Sequence, residues 1–307
     1  MKKLYFGVLL VLAAVIITAC GNKSEQAHVQ ALKNVNADGK LKVVTTFYPL
    51  YEFASQTGGD RVNVYNLMPP GAEPHDWEPA PRDMASIEQA DLFIYNGAGL
   101  EPWVEQRLLP VLAGKKVKVL DASAGQKLIS ASKGTYDPHY WLDPLMARHT
   151  VESIAAAISE IDPNNGQYYR ERASAYGEKL LKLDKEYSAA AQSFTSKDLV
   201  TSHSAFAYMC RRYGMQQVSV LGLSPEAQPS PAQLKEVVEF VRQNKVRCIF
   251  FEPLISSQLS ETVAREAKVK TGVLNTIAGL TEEQQAQGEN YISLMYSNLA
   301  ALKEALQ

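Results

Sequence analysis

An α/β fold of two lobes, each a four-stranded, mainly parallel sheet flanked by helices and joined by one long rigid helix, is what the sequence predicts. Three observations carry that expectation. Short β-branched runs alternate with helical patterns on both sides of a central stretch, the signature of parallel sheets covered by helices. The central stretch, Asn164 to Phe194, places Tyr169, Ala173, Tyr176, Leu180, Leu183, Tyr187 and Ala191 at three- and four-residue steps with no internal proline. About 28 residues at 1.5 Å rise make a rod of roughly 40 Å, long enough to span two lobes. With 307 residues, 46% of them hydrophobic, the chain has the material to fill a core in each.

The first half opens with Lys42-Val43-Val44-Thr45-Thr46-Phe47 as a strand and a helix closing at Gly58-Gly59. Val62 to Met68 is a second strand, stopped by Pro69-Pro70-Gly71. Pro81 starts a helix, where its missing N–H costs little, and Asp91 to Tyr95 is a third strand ending at Asn96-Gly97. A helix from near Glu101 leads to the fourth strand, Lys116 to Leu120. Residues 121–138 read as loop, and Pro144 starts a helix that stops at Asp162-Pro163. Beyond the rod the pattern restarts, with strands at Leu199–Thr201, Val218–Leu221, Arg247–Phe251 and Gly272–Asn275, helices between them, and a final helical stretch from Thr281 to Leu306. The predicted division is therefore a first lobe over 40–162, a connecting helix over 163–195 and a second lobe over 196–307.

The N-terminus reads as an export signal. Lys2 and Lys3 precede an apolar run from Leu4 to Thr18, too short for the ~20 residues that span a bilayer. The run ends Ile17-Thr18-Ala19-Cys20-Gly21, small residues before a cysteine as in a bacterial lipobox. Residues 1–19 are thus expected to be cleaved and Cys20 to carry a lipid, which anchors the chain to a membrane without spanning it. Residues 20–39 are polar and aperiodic, a flexible tether. Loss of two lysines and no acid with the leader takes the net charge from −2 to −4, which gives no reason to expect nucleic acid. Outside the cytoplasm Cys210 and Cys248 could pair, or each could serve as a small buried hydrophobe.

The chain has five histidines, and three of them, His75, His139 and His203, each follow a predicted strand. Ligands of parallel α/β sheets bind at the carboxyl ends of strands. Two histidines from the first lobe and one from the second therefore point to a metal site in the cleft between lobes. Neutral imidazoles suit Zn(II) better than a hard oxygen-seeking ion. Their affinity for it should fall as the pH drops through the histidine range, near 6.5 for a free imidazole. His28 and His149 are assigned to the tether and to a helix surface. Three imidazoles and a water also make a catalytic zinc site, with Glu78 or Asp143 as the base, but no H-E-x-x-H motif accompanies them.

Gly71-Ala72-Glu73-Pro74-His75-Asp76-Trp77-Glu78-Pro79, Asp137-Pro138-His139-Tyr140-Trp141-Leu142-Asp143-Pro144 and Ser202-His203-Ser204-Ala205-Phe206, together with the long helix, resemble the zinc/manganese solute-binding proteins of bacterial ABC importers, the cluster A-I family. The resemblance covers the chain from about residue 40. It implies two α/β lobes on one rigid helix, and a monomeric extracytoplasmic receptor that hands its ion to a membrane permease. It also implies zinc as the transported ligand, because manganese-type members tend to offer an acid where this chain has His203. Adhesion is a role discussed for such lipoproteins. Two departures stand out. The His- and acid-rich loop of many zinc-type members is missing from Ser130 to Tyr136, and Ala278 falls where the family's usual fourth ligand, a carboxylate, aligns. Glu252, at the exit of a neighbouring strand, is a candidate substitute but reads equally as a structural or solvated acid before Pro253, and water is the alternative fourth ligand.

Overall fold

A computed structural model describes residues 39–307 apart from residue 133; the signal segment, Cys20 and most of the tether lie outside the described residues. Two sheets form the frame. The first is built from β1 (Leu41–Thr45), β2 (Val62–Asn66), β3 (Leu92–Tyr95) and β4 (Lys118–Asp121), in the order β2-β1-β3-β4 with every pair parallel. Helix α1 (Tyr48–Gly58) crosses from β1 to β2, and α2 (Pro81–Ile87) from β2 to β3. A π-helical turn, Val104–Leu108, runs into the short α3 (Leu109–Leu112) before β4. Strands β1 and β3 read as continuous apolar runs because helices cover both faces, and Val43, Val44, Leu92, Phe93 and Ile94 are all sealed from solvent.

The stretch after β4, expected to be loop, contains an antiparallel hairpin of β5 (Ser130–Ser132) and β6 (Thr135–Tyr136). Its Ser, Ala and Gly residues carry no period that would announce a strand. Next come α4 (Pro144–Ile161) and the rod α5 (Gly166–Gln192), whose 27 residues match the predicted length closely. The second sheet follows: β7 (Asp198–Thr201), α6 (Ala207–Tyr213), β8 (Gln216–Ser219), α7 (Pro231–Gln243), β9 (Cys248–Phe251), α8 (Gln258–Ala267) and β10 (Lys270–Val273). Its order is β10-β9-β7-β8, again all parallel. The final helical stretch is broken in two, α9 (Glu282–Ala286) and α10 (Tyr291–Leu306), at a left-handed Gly288 (φ 71°). Cys210 and Cys248 are both free thiols, so the disulfide alternative falls away.

The lobes share packing. One buried cluster runs from Val43 in β1 through Tyr169, Tyr176, Leu180 and Tyr187 on the rod to Leu306 at the C-terminus. Phe53 of α1 meets Tyr176 of the rod and Tyr291 of α10 at ring-centroid distances of 6.1 and 5.0 Å. The Tyr187 hydroxyl donates to the Met295 carbonyl at 2.6 Å, tying the rod to the last helix.

Polar ties cross between the lobes as well. Asp143 caps α4 by accepting from the Leu145 N–H at 2.9 Å and also pairs with Arg212 at the end of α6. Because Asp143 is 2% exposed, Asp143→Ala removes a helix cap and leaves a half-buried guanidinium short of one partner. The expected cost is about 2–3 kcal/mol, read as a lower midpoint in urea unfolding of the metal-free protein.

Candidate metal centre

Each of the three histidines is held by a locally fixed turn, His75 in the loop after β2, His139 after β6 and His203 after β7. In Asp137-Pro138-His139 the Asp137 carboxylate accepts the His139 backbone N–H at 2.9 Å, an Asx-type turn in which proline sets the intervening backbone. Glu73-Pro74-His75 repeats that spelling, and Glu73 accepts the His75 N–H at 3.4 Å. His203 sits just past β7. Its carbonyl accepts from the Thr201 hydroxyl at 2.7 Å and the Gln217 amide at 3.0 Å, which fixes the backbone there.

These turns bring the three rings together. Nε2 of His139 lies 3.1 Å from Nε2 of His75 and 3.3 Å from Nε2 of His203, and one nitrogen from each ring falls within 4.8 Å of the others. His139 and His203 are 1% and 2% exposed, and His75 is half-buried at the mouth. Two nitrogens bound at about 2.1 Å to a tetrahedral ion stand roughly 3.4 Å apart, so the spacing suits a shared cation.

The far ring nitrogens decide what faces the centre. Nδ1 of His139 lies 2.8 Å from Asp137 Oδ1, so it carries the proton and donates to the carboxylate. Nδ1 of His203 is in contact with Glu252 Oε2, out of line for a well-aligned hydrogen bond but close enough to hold the ring's charge distribution the same way. With the proton on Nδ1 of each ring, the two Nε2 lone pairs face each other at 3.3 Å. Facing lone pairs repel unless a cation sits between them. Burial, with the neighbouring imidazoles second, pushes the His75 pKa down to about 3 and that of His139 well below the usual histidine value. A proton is therefore a poor occupant near neutral pH, and a metal ion is a good one.

Glu252 is not one of the groups that face the three rings' shared centre. Both its oxygens are spent behind His203: Oε1 accepts from the Ser202 hydroxyl and from the His203 N–H at 3.3 Å, and Oε2 touches Nδ1. Ala278 is buried in the core cluster and offers only a methyl group. Among the described residues, the group able to hold a metal is His75, His139 and His203. Burial raises the Asp137 and Glu73 carboxyls to about 7, while the N–H each accepts from its histidine pulls the other way. The two acids considered as a catalytic base are engaged elsewhere, Glu78 with Arg107 at 2.6 Å and Asp143 in its cap.

Sequence reasoning picked out the three rings but missed the part Asp137 plays, which the acid-Pro-His spelling could have signalled. It left Glu252 open between a fourth ligand and a structural acid, because its position depends on a sheet register invisible in the sequence: Thr201 pairs with Phe250, so the chain just past β9 lies beside the chain just past β7.

Two parallel-sheet lobes on a shared helix, with donor side chains gathered in the cleft, define the class of extracytoplasmic solute-binding proteins. The chain belongs to the family described as the periplasmic component A of the zinc-uptake complex, whose profile matches residues 43–305. It is 39% identical over 321 residues to the high-affinity zinc uptake system protein ZnuA of Bacillus subtilis, covering 100% of this chain and 99% of that protein. Its identity to the zinc-binding lipoprotein AdcA of Streptococcus pneumoniae is 41% over 318 residues, or 99% of this chain but 61% of that longer protein. Among solved structures, the Zn(II)-bound ZnuA-like domain of S. pneumoniae AdcA superposes with a TM-score of 0.79 at 44% identity, covering 87% of this chain and 99% of that one. A laminin-binding protein of Streptococcus agalactiae, described as bifunctional with adhesin and metal-transporting activity, gives 0.81 at 32% identity over 87% of this chain and 100% of that one.

Proposed function

We propose that the chain is a high-affinity zinc receptor, held outside the cytoplasm by a lipid on Cys20, that captures Zn(II) through His75, His139 and His203 and delivers it as a monomer to an ABC-type import permease. The observation that carries this reading is the pair of Nε2 atoms of His139 and His203, 3.3 Å apart, with the Asp137 carboxylate bonded behind the first ring and Glu252 in contact behind the second. Three imidazoles without a protein carboxylate in the shell favour the borderline Zn(II) over the harder Mn(II). Water is the natural fourth ligand of such a site. Elemental analysis of the protein as purified, followed by competition among Zn(II), Mn(II) and Cu(II), tests the choice of metal. Equimolar zinc at preference over manganese is expected; manganese outcompeting zinc would overturn it. Growth of a deletion strain in chelated medium, rescued by added zinc, separates uptake from adhesion.

The depressed histidine pKa values alter the pH dependence expected from free imidazoles. Lowering the pKa of a base keeps it neutral further into acid, so His75 and His139 take up competing protons only well below pH 6.5. Three unperturbed imidazoles would cost zinc affinity about three decades per pH unit below that point. The receptor is expected to show a much shallower slope between pH 6.5 and 5, measured with a competing chelator whose own protonation is corrected. A slope near three decades per unit would contradict burial of the rings.

A further inference from the structure

Behind the His139 loop lies a second buried carboxylate, Glu101, which takes no part in the cluster of imidazoles. It is 6% exposed and sits at the carboxyl ends of β1 and β3. Its Oε1 accepts from the Thr46 hydroxyl at 2.7 Å and the Asn96 N–H at 2.8 Å, and its Oε2 from the Gly97 N–H at 3.2 Å. No ion pair neutralises it among the described residues. Three polar donors around one buried carboxyl is an expensive arrangement unless it holds something in place.

What it holds is a strained turn. Gly97, Ala98 and Gly99 follow one another at φ 73°, 54° and 83°, three left-handed residues in a row, one of them with a side chain. Gly97 has no alternative, since a Cβ there would stand 2.1 Å from Asp121 Oδ1. The turn closes with the Leu100 N–H on the Gly97 carbonyl at 3.1 Å, which brings Glu101 back under Asn96.

Asn96, fully buried, then reaches the metal loop from both ends. Its amide nitrogen donates to the Pro138 carbonyl at 3.1 Å, and its own carbonyl accepts the Tyr140 hydroxyl at 2.8 Å. Those two residues flank His139. The Pro138 carbonyl takes its donor from Asn96, which fixes which end of the side-chain amide faces it, and the same nitrogen also reaches the Gly97 carbonyl at 3.2 Å.

We propose that Glu101 is a positioning residue for the metal centre, acting through Asn96 and Tyr140 to set the placement of His139. The inference rests on the three imidazoles being the metal ligands. Glu101 pins Asn96, Asn96 pins the residues on either side of His139, and Asp137 sets the ring's rotation. Displacement of that loop by a fraction of an ångström moves one ligand off the tetrahedral position without unfolding anything.

The test uses the full mature chain with Co(II) as a spectroscopic probe and Zn(II) in chelator competition, comparing Tyr140→Phe, Glu101→Gln and the control Tyr187→Phe. The control also deletes a buried hydroxyl, on the rod and away from the centre. Tyr140→Phe and Glu101→Gln are expected to shift the visible Co(II) bands and to weaken zinc binding about 10-fold, the lower end of what loss of an outer partner costs. Tyr187→Phe is expected to lower the melting temperature and leave both readouts unchanged. Wild-type spectra and affinity in Tyr140→Phe, with only a lowered melting temperature, would overturn the proposal. Should Glu101→Gln fail to fold, Tyr140→Phe decides alone. Failure of the histidine reading looks different: His139→Ala would then bind Co(II) with the wild-type spectrum.

Discussion

His139→Ala is expected to lower zinc affinity by more than about 100-fold, the upper end of what losing an outer partner costs, because it removes one of the three proposed ligands. His139 is the middle ring, with its Nε2 within 3.1 Å of one neighbour and 3.3 Å of the other, so its loss leaves the remaining two without a common partner. The Asp137 carboxylate, 2% exposed, also loses the ring it orients. His149→Ala, on α4 and outside the cluster, is the matching control and is expected to bind normally. Isothermal titration, or competition with a chromophoric chelator, separates the two variants. Equal zinc affinity in both would remove His139 from the site.

Trp141→Ala is expected to have the largest effect on the fold, about 3–5 kcal/mol, as for a large aromatic removed from a closed core. Trp141 is 1% exposed and packs edge-on against Phe47 at 4.8 Å between centroids. It also bridges the lobes. Its indole N–H donates to the Thr276 carbonyl at 2.8 Å, and its own carbonyl accepts the Tyr291 hydroxyl from α10 at 2.5 Å. The cavity therefore opens where the two halves meet, two residues from His139. Urea unfolding of the metal-free protein should show the loss, and saturating zinc should recover part of it, since a ligand that binds only the folded chain stabilises it. Trp141→Phe keeps most of the volume and loses the interlobe hydrogen bond, so it should fall between wild type and alanine.

Both sheets and the rod could be read from the sequence because their signals are local. Val43-Val44 and Leu92-Phe93-Ile94 are buried on two faces and so appear as unbroken apolar runs, and Tyr169, Tyr176, Leu180 and Tyr187 recur at helical steps. The β5–β6 hairpin could not be read, because Ser130 to Tyr136 has neither alternation nor a strong turn pair. Strand β8 lies two residues earlier than its apolar residues suggest. Val220 still bonds to the Thr201 carbonyl at 3.0 Å beyond the strand's end, so extended chain and strand part company there.

The centre divides in the same way. His75 and His203 were legible because each follows a strand of a parallel sheet, which gathers strand ends on one side. His139 was legible because it stands in a distinctive Asp-Pro-His turn, although the strand just before it belongs to the antiparallel hairpin. Their supports were not, because Glu252 reaches His203 through the pairing of β7 with β9, and Glu101 joins Thr46 to Asn96 through the pairing of β1 with β3. Those registers arise from the packed sheet and leave no mark on the spacing along the chain.

X-ray absorption at the zinc edge of the stoichiometrically loaded protein tests most directly whether rings from both lobes close on one ion. Three imidazoles at about 2.0–2.1 Å, with one further light ligand, are predicted, and the imidazole scattering should drop in each of His75→Ala, His139→Ala and His203→Ala. A first shell of oxygens without imidazole scattering, or a shell unchanged in all three variants, would contradict the account.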